Sequence, residues 1–133
     1  PMPWESGPEG AGFTSGTPWL PIPDYHKIRA VDTQADKPGS VLAHAKKIVA
    51  LRKAHPALKL GDIRFLDTGG KVLAFTREGE REALLCVFNL GAEAASYTLP
   101  GGTGEAVFEL GDVTRESMAL SLGARAGVIV KHF

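Results

Sequence analysis

The residues able to do chemistry are few and scattered. His26, His44, His55 and His132 share no metal-ligand spacing, and none stands in an HExxH or CxxC context, so neither a metal nor a cofactor is expected. The acids Glu5, Glu9, Asp24, Asp32 and Asp36 fall within the first 37 residues. Two carboxyls on opposite sides of a glycosidic bond can cleave it, but spacing alone does not set any two of these against each other. Solvated loop carboxylates or turn caps are the stronger reading. Trp4 and Trp19 offer flat apolar faces that suit sugar rings and suit burial against a neighbouring element equally well. The glycines of LPGGTGE, residues 99–105, imitate a phosphate loop, yet no Lys-Ser or Lys-Thr follows and no helix starts there. A β-turn between strands is the better reading. Cys86, the single cysteine, lies in the apolar run ALLCVFNL and reads as a buried structural thiol.

These residues must be positioned by three kinds of chain. PMPWESGPEGAGFTSGTPWLP, residues 1–21, holds two tryptophans, one phenylalanine and five prolines without helical or strand periodicity. Aromatic side chains carry large apolar surfaces, and proline-rich backbone cannot bury itself in a helix or central strand. The segment therefore needs a partner surface that it does not itself supply. Residues 1–37 read as loop, with TyrHisLysIle at 25–28 too short to assign. SVLAHAKKIVALRKAHP then reads as one helix: Ser40 caps it, Val41, Leu42, Ala45, Ile48, Val49 and Arg52 share a face, and Pro56 stops it. From Ala57 onward seven short apolar runs follow, DIRFLD, KVLAFTR, EALLCVFNL, ASYTLP, EAVFEL, SMALSL and AGVIVKHF. With no helix-length pattern between them they predict an antiparallel sandwich or barrel. Tight turns are expected at residues 68–70 and 78–80.

A chain of 133 residues is one domain, or one small domain plus part of another. Fifteen basic and fifteen acidic residues cancel, which disfavours nucleic acid and anionic membranes as partners. Hydrophobic residues at 44% and charged residues at 23% are ordinary globular values and argue against disorder. No apolar run reaches membrane-spanning length and no signal-like start is present, so a cytoplasmic chain is expected. The first residue is proline, which suggests a cut or renumbered chain.

PMPW followed by an acid, then AGFTSGTPWLP, then Tyr25, then LRKAHPAL, in that order, resemble the C-terminal part of α-glucosidases. These belong to the α-amylase superfamily, glycoside hydrolase family thirteen, in its oligo-1,6-glucosidase and α-1,4-glucosidase branch. The motifs are dense over residues 1–60, while the β half matches only in strand number and position. The resemblance implies that residues 1–56 are the last loop and last helix of a (β/α)8 barrel and that residues 57–133 are a C-terminal β-sandwich. The fold class is then mostly β, an antiparallel sandwich preceded by the end of a barrel.

In such barrels the chemistry sits on the loops at the C-terminal ends of the strands, so residues 1–37 are expected near the sugar site. Trp4 and Glu5 are the candidates for substrate contact; Glu5 stands where the family usually has aspartate. The aspartate nucleophile, glutamate acid/base and second aspartate of this retaining family would all lie before Pro1, so no catalytic residue is assigned here. The implied partners are the rest of the barrel, in the same or another polypeptide, and through it an α-glucoside; the chain alone is expected to be inactive. A stand-alone carbohydrate-binding module would instead want exposed aromatics on one sandwich face. Phe65, Phe75, Phe88, Tyr97, Phe108 and Phe133 are mostly expected in core positions, which counts against it.

Overall fold

Alternation along the second half of the chain sorts its side chains onto two faces, and the structure follows that sorting. The computed structural model describes residues 1–101 and 104–132. Among the described residues eight strands form: β1 (Asp62–Leu66), β2 (Val72–Glu78), β3 (Ala83–Asn89), β4 (Ala95–Thr98), β5 (Ala106–Leu110), β6 (Val113–Glu116), β7 (Ala119–Leu122) and β8 (Gly127–His132). One sheet has the order β1-β2-β3-β8-β5, the other β4-β7-β6, and every pairing is antiparallel. The expected antiparallel β architecture is thus present. β6 was not among the seven runs, because Val113-Thr-Arg-Glu116 carries one apolar residue and its register comes from pairing with β7.

Val72, Ala74, Leu85, Val87, Val128 and Val130 from the large sheet meet Leu99, Leu120 and Leu122 to form the principal core. A fully buried leucine contributes about 1.5–3 kcal/mol relative to an exposed one, so this cluster is the main source of the unit's stability. Asn89, 1% exposed, ties the layers together: its side-chain amide donates to the carbonyls of Glu93 and Gly123 at 2.7 and 2.8 Å, and its oxygen accepts from Gly91 N–H at 2.9 Å.

The opposite face of the large sheet is also apolar. Register aligns Phe65, Phe75, Cys86, Ile129 and Phe108 in one row across all five strands. Leu84, Cys86 and Ile129 are covered there by Ala57, Leu58 and Leu51, which explains why β3 is buried on both faces. Four of the five described aromatics of the β half follow the expectation by packing against a core cluster, Tyr97 against the first and three on this face. Phe75, Phe88 and Phe108 are partly buried on this outer face rather than in the core between the sheets, and Phe65 is 65% exposed. Phe133 lies outside the described residues, as do Gly102 and Thr103 of the expected LPGGTGE turn.

The helical part holds α1 (Asp24–Lys27), α2 (Val31–Ala35), α3 (Val41–Ala54) and α4 (Ala57–Leu60). α3 is the helix read from sequence, and Ser40 Oγ accepts from Ala43 N–H at 3.1 Å as its cap. Two readings are corrected. Residues 1–37 are not loop throughout, since α1 and α2 are one-turn helices too short for periodicity to reveal. Nor does β structure begin at Ala57: Pro56, helical at φ −56° and ψ −35°, ends one helix and opens the single turn of α4. The chain divides into two compact units, Pro1–Ala50 and Leu51–Phe133.

Candidate functional site

Within the first unit, short-range hydrogen bonds organise a segment that buries few side chains; Gly10, Ala11 and Ala30 are its buried residues. A turn forms as Ala11 N–H donates to Pro8 O at 2.9 Å and Phe13 N–H to Gly10 O at 2.9 Å. Ala11 and Gly12 both take left-handed backbone, with φ of 50° and 66°. That turns the Ala11 carbonyl back to accept from Trp4 N–H at 2.8 Å and Glu5 N–H at 3.1 Å. Gly12 is required twice over: its φ favours glycine, and a Cβ there would stand 3.1 Å from both Trp4 Cβ and Glu5 Cγ.

The start of α2 grips the same segment from its other edge. Val31 N–H donates to Pro3 O and Asp32 N–H to Trp4 O, each at 3.1 Å. The Asp32 carboxylate accepts from Ser6 N–H and Ser6 Oγ–H, both at 2.9 Å. The Ser6 backbone bond is the largest influence on that carboxyl, outweighs partial desolvation, and holds it below the usual aspartate range. Asp32 is therefore a cap, but for backbone 26 residues away rather than for its own helix. The Ser6–Asp32 pair carries no sequence signal, because the separation exceeds any local turn motif.

Trp4 is left 51% exposed, Phe13 50% and Trp19 90%, and the carboxylate of Glu5 has no hydrogen-bond or ion-pair partner among the described residues. Asp24 pairs with Lys27 at 3.4 Å. The arrangement can present one indole face and one free carboxylate to a hydroxyl-rich molecule, and among these groups it holds no assembled acid/base pair.

The remaining chemistry-bearing residues are distributed. His26 packs edge-on to Tyr25 with ring centroids 4.5 Å apart. In the second unit His55 Nδ1 lies 2.9 Å from Glu82 Oε2, while Ala57 N–H donates to Glu82 Oε1 at 2.9 Å. Cys86 is 1% exposed, and burial pushes its thiol up to about 11. A cavity of about 530 Å³ opens between α4 and the β2–β3 turn, lined by Leu60 and Arg81 among others. Neither Trp4 nor Glu5 borders it. Among the described residues no group of three or more His, Cys, Asp or Glu side chains could hold a metal ion, and no helix is long and apolar enough to cross a membrane.

Comparison with known proteins divides the chain after residue 61, past the Ala50–Leu51 boundary between its compact units. Residues 1–61 match the alpha amylase catalytic domain, and residues 63–129 match the maltogenic amylase C-terminal domain. A probable alpha-glucosidase of Rhizobium meliloti is 50% identical over 100 residues, covering 75% of this chain and 18% of that protein. A probable oligo-1,6-glucosidase of Bacillus subtilis is 38% identical over 108 residues, covering 80% of this chain and 19% of that protein. The crystal structure of the alpha-glucosyl transfer enzyme XgtA superposes over 100% of this chain and 25% of that one, with a TM-score of 0.83 and 38% identity. The chain thus spans about a fifth of the length of the curated relatives it matches. It belongs to glycoside hydrolase family thirteen of the α-amylase superfamily, joining a stretch of the catalytic domain to the C-terminal β domain of the maltogenic amylase type.

Proposed function

We propose that the chain is the C-terminal part of a retaining α-glucosidase that releases terminal α-1,4- or α-1,6-linked glucose in the cytoplasm, and that it is inactive by itself. The observation that carries this reading is the match of residues 1–61 to a catalytic domain of which the chain holds only one portion. Retaining hydrolysis needs two carboxyls about 5 Å apart across the scissile bond. Within the described residues of the first unit, Asp32 is committed to Ser6 and Asp24 to Lys27, while Glu5, Glu9 and Asp36 have no hydrogen-bond or ion-pair partner, and of these three Glu5 adjoins Trp4. In this reading residues 1–56 are the last loop and helix of the barrel, residues 57–133 the sandwich, and Trp4 and Glu5 contact the substrate that the rest of the barrel holds. The apolar residues of the first unit support it. Trp19, Val41, Ile48 and Val49 are exposed in this chain and suit burial against the missing strands and helices.

The test is hydrolysis of a nitrophenyl α-glucoside by the isolated 133-residue chain. No turnover above the buffer blank is expected, and turnover would overturn the reading. A non-catalytic structural or carbohydrate-binding module is the alternative, favoured by the outer-face row that begins with exposed Phe65. The rings on that face are tilted, with 57° between Phe65 and Phe75 and 31° between Phe75 and the neighbouring Phe88, so they form no flat platform for a sugar and suit a structural face better.

A further inference from the structure

We infer that Asp32 is a positioning residue for substrate binding: by clamping Ser6 it fixes the segment Pro3–Ser6 so that Trp4 and Glu5 face a bound glucoside together. The inference rests on the reading of Trp4 and Glu5 as substrate contacts. It stands on three features of the first unit that secondary structure does not explain. The Pro3–Ser6 segment is bonded at Pro3 O, Trp4 N–H, Trp4 O, Glu5 N–H, Ser6 N–H and Ser6 Oγ, although it belongs to no helix or sheet. The turn that supplies one edge of this grip holds Ala11, a non-glycine residue, in left-handed backbone. Such a conformation is unfavourable and persists only where its surroundings enforce it. The pinned segment nevertheless leaves its two largest functional side chains free, with Trp4 half-exposed and the Glu5 carboxylate unpaired among the described residues.

A segment held so firmly with so little burial gains order rather than hydrophobic stability. Order matters for sugar recognition, because an indole stacked on a pyranose and a carboxylate accepting from its hydroxyls must be oriented together before the ligand arrives. Gly12 sits beneath both side chains, so the backbone turn and the Asp32 clamp act on the same two residues from opposite edges.

The test uses the enzyme with its barrel complete and residues 1–133 in place. Asp32→Ala is expected to raise KM for an α-glucoside about tenfold while kcat changes less than about twofold, the pattern of lost binding order. Asp32→Asn, which keeps one acceptor oxygen, is expected to recover part of the loss. Gly12→Ala, which presses on Trp4 and Glu5 by another route, is expected to reproduce the KM effect. A merely structural Asp32 would lower the melting temperature without separating KM from kcat. If Asp32→Ala proves unstable, Ser6→Ala removes only the hydroxyl bond and carries the test: a KM increase of about twofold supports the clamp, and an unchanged KM overturns it. Should Trp4→Ala and Glu5→Gln raise KM while Asp32→Ala does not, the inference fails and the reading of the two contacts survives. If Trp4→Ala, Glu5→Gln and Asp32→Ala all leave KM unchanged, both fall.

Discussion

Removing the Glu82 carboxylate should destabilise the β unit more than any other single truncation of a charged group in it. Glu82 lies at the end of the β2–β3 turn and receives two hydrogen bonds of 2.9 Å, from His55 Nδ1 and from the amide of Ala57. It thereby fastens the end of α3 and the start of α4 to the sheet. A hydrogen bond to a charged group is worth about 1.5–3 kcal/mol, and a buried donor left unpaired costs about 1–3 kcal/mol. Ala57 is 0% exposed, so its amide has no water to turn to, whereas the His55 and Glu82 side chains are 17% and 25% exposed and water replaces part of their bond. The expected loss for Glu82→Ala is therefore about 2 kcal/mol, less than the two bonds summed.

For a unit of this size that loss lowers the melting temperature by roughly 8–16 °C, measured by circular dichroism at pH 7. Glu82→Gln, which keeps an acceptor for Ala57, should lose less than half as much, and a His55→Ala/Glu82→Ala cycle should show non-additivity. The acid limb offers a second check. Burial works to raise the Glu82 carboxyl, but the bonds from His55 and Ala57 outweigh it and hold it below its ordinary value of 4.5. A carboxyl that titrates lower in the folded chain contributes fully above its unfolded pKa and loses that contribution as pH falls through the folded value. Wild type should therefore lose stability below about pH 4.5 more steeply than Glu82→Ala. A Glu82→Ala loss under about 0.5 kcal/mol, the range of ordinary surface substitutions, would refute the reasoning.

Two further outcomes follow from buried polar chemistry. Asn89→Asp should be at least as destabilising as Asn89→Ala, by about 2–4 kcal/mol in urea unfolding, because a carboxylate would face the Glu93 and Gly123 carbonyls that now accept the Asn89 amide. Cys86, buried and with its thiol raised to about 11, should resist a disulfide-exchange reagent at pH 8 in the native chain and react fully in denaturant; rapid native labelling would contradict its placement.

The sequence was most legible where local physics suffices. Ser40 and Pro56 bracket α3 because capping and the missing proline amide act within one turn. Short apolar or alternating runs mark seven of the eight strands among the described residues, and β6 escapes because Thr114, Arg115 and Glu116 gain their place only from β7. Phe75 and Phe108 hold packed positions as expected, but on the outer face of the large sheet, and Phe65 is exposed at its edge, because aromatic composition does not say which of two apolar faces a strand turns inward. The ordered motifs from PMPW to LRKAHPAL were sufficient to place the chain in its family.

What the sequence determined by itself was therefore the helix, the β character of the second half and the family. Those depend on neighbours in the chain and on motif order. What only the tertiary structure decided was which distant residues meet. Ser6 reaches Asp32, His55 reaches Glu82, and Trp4 and Glu5 are gripped between Ala11 and α2. Apart from the Ala11 turn, such pairings are fixed by how the chain closes loops of 25 residues and more, and no residue-level propensity encodes that closure.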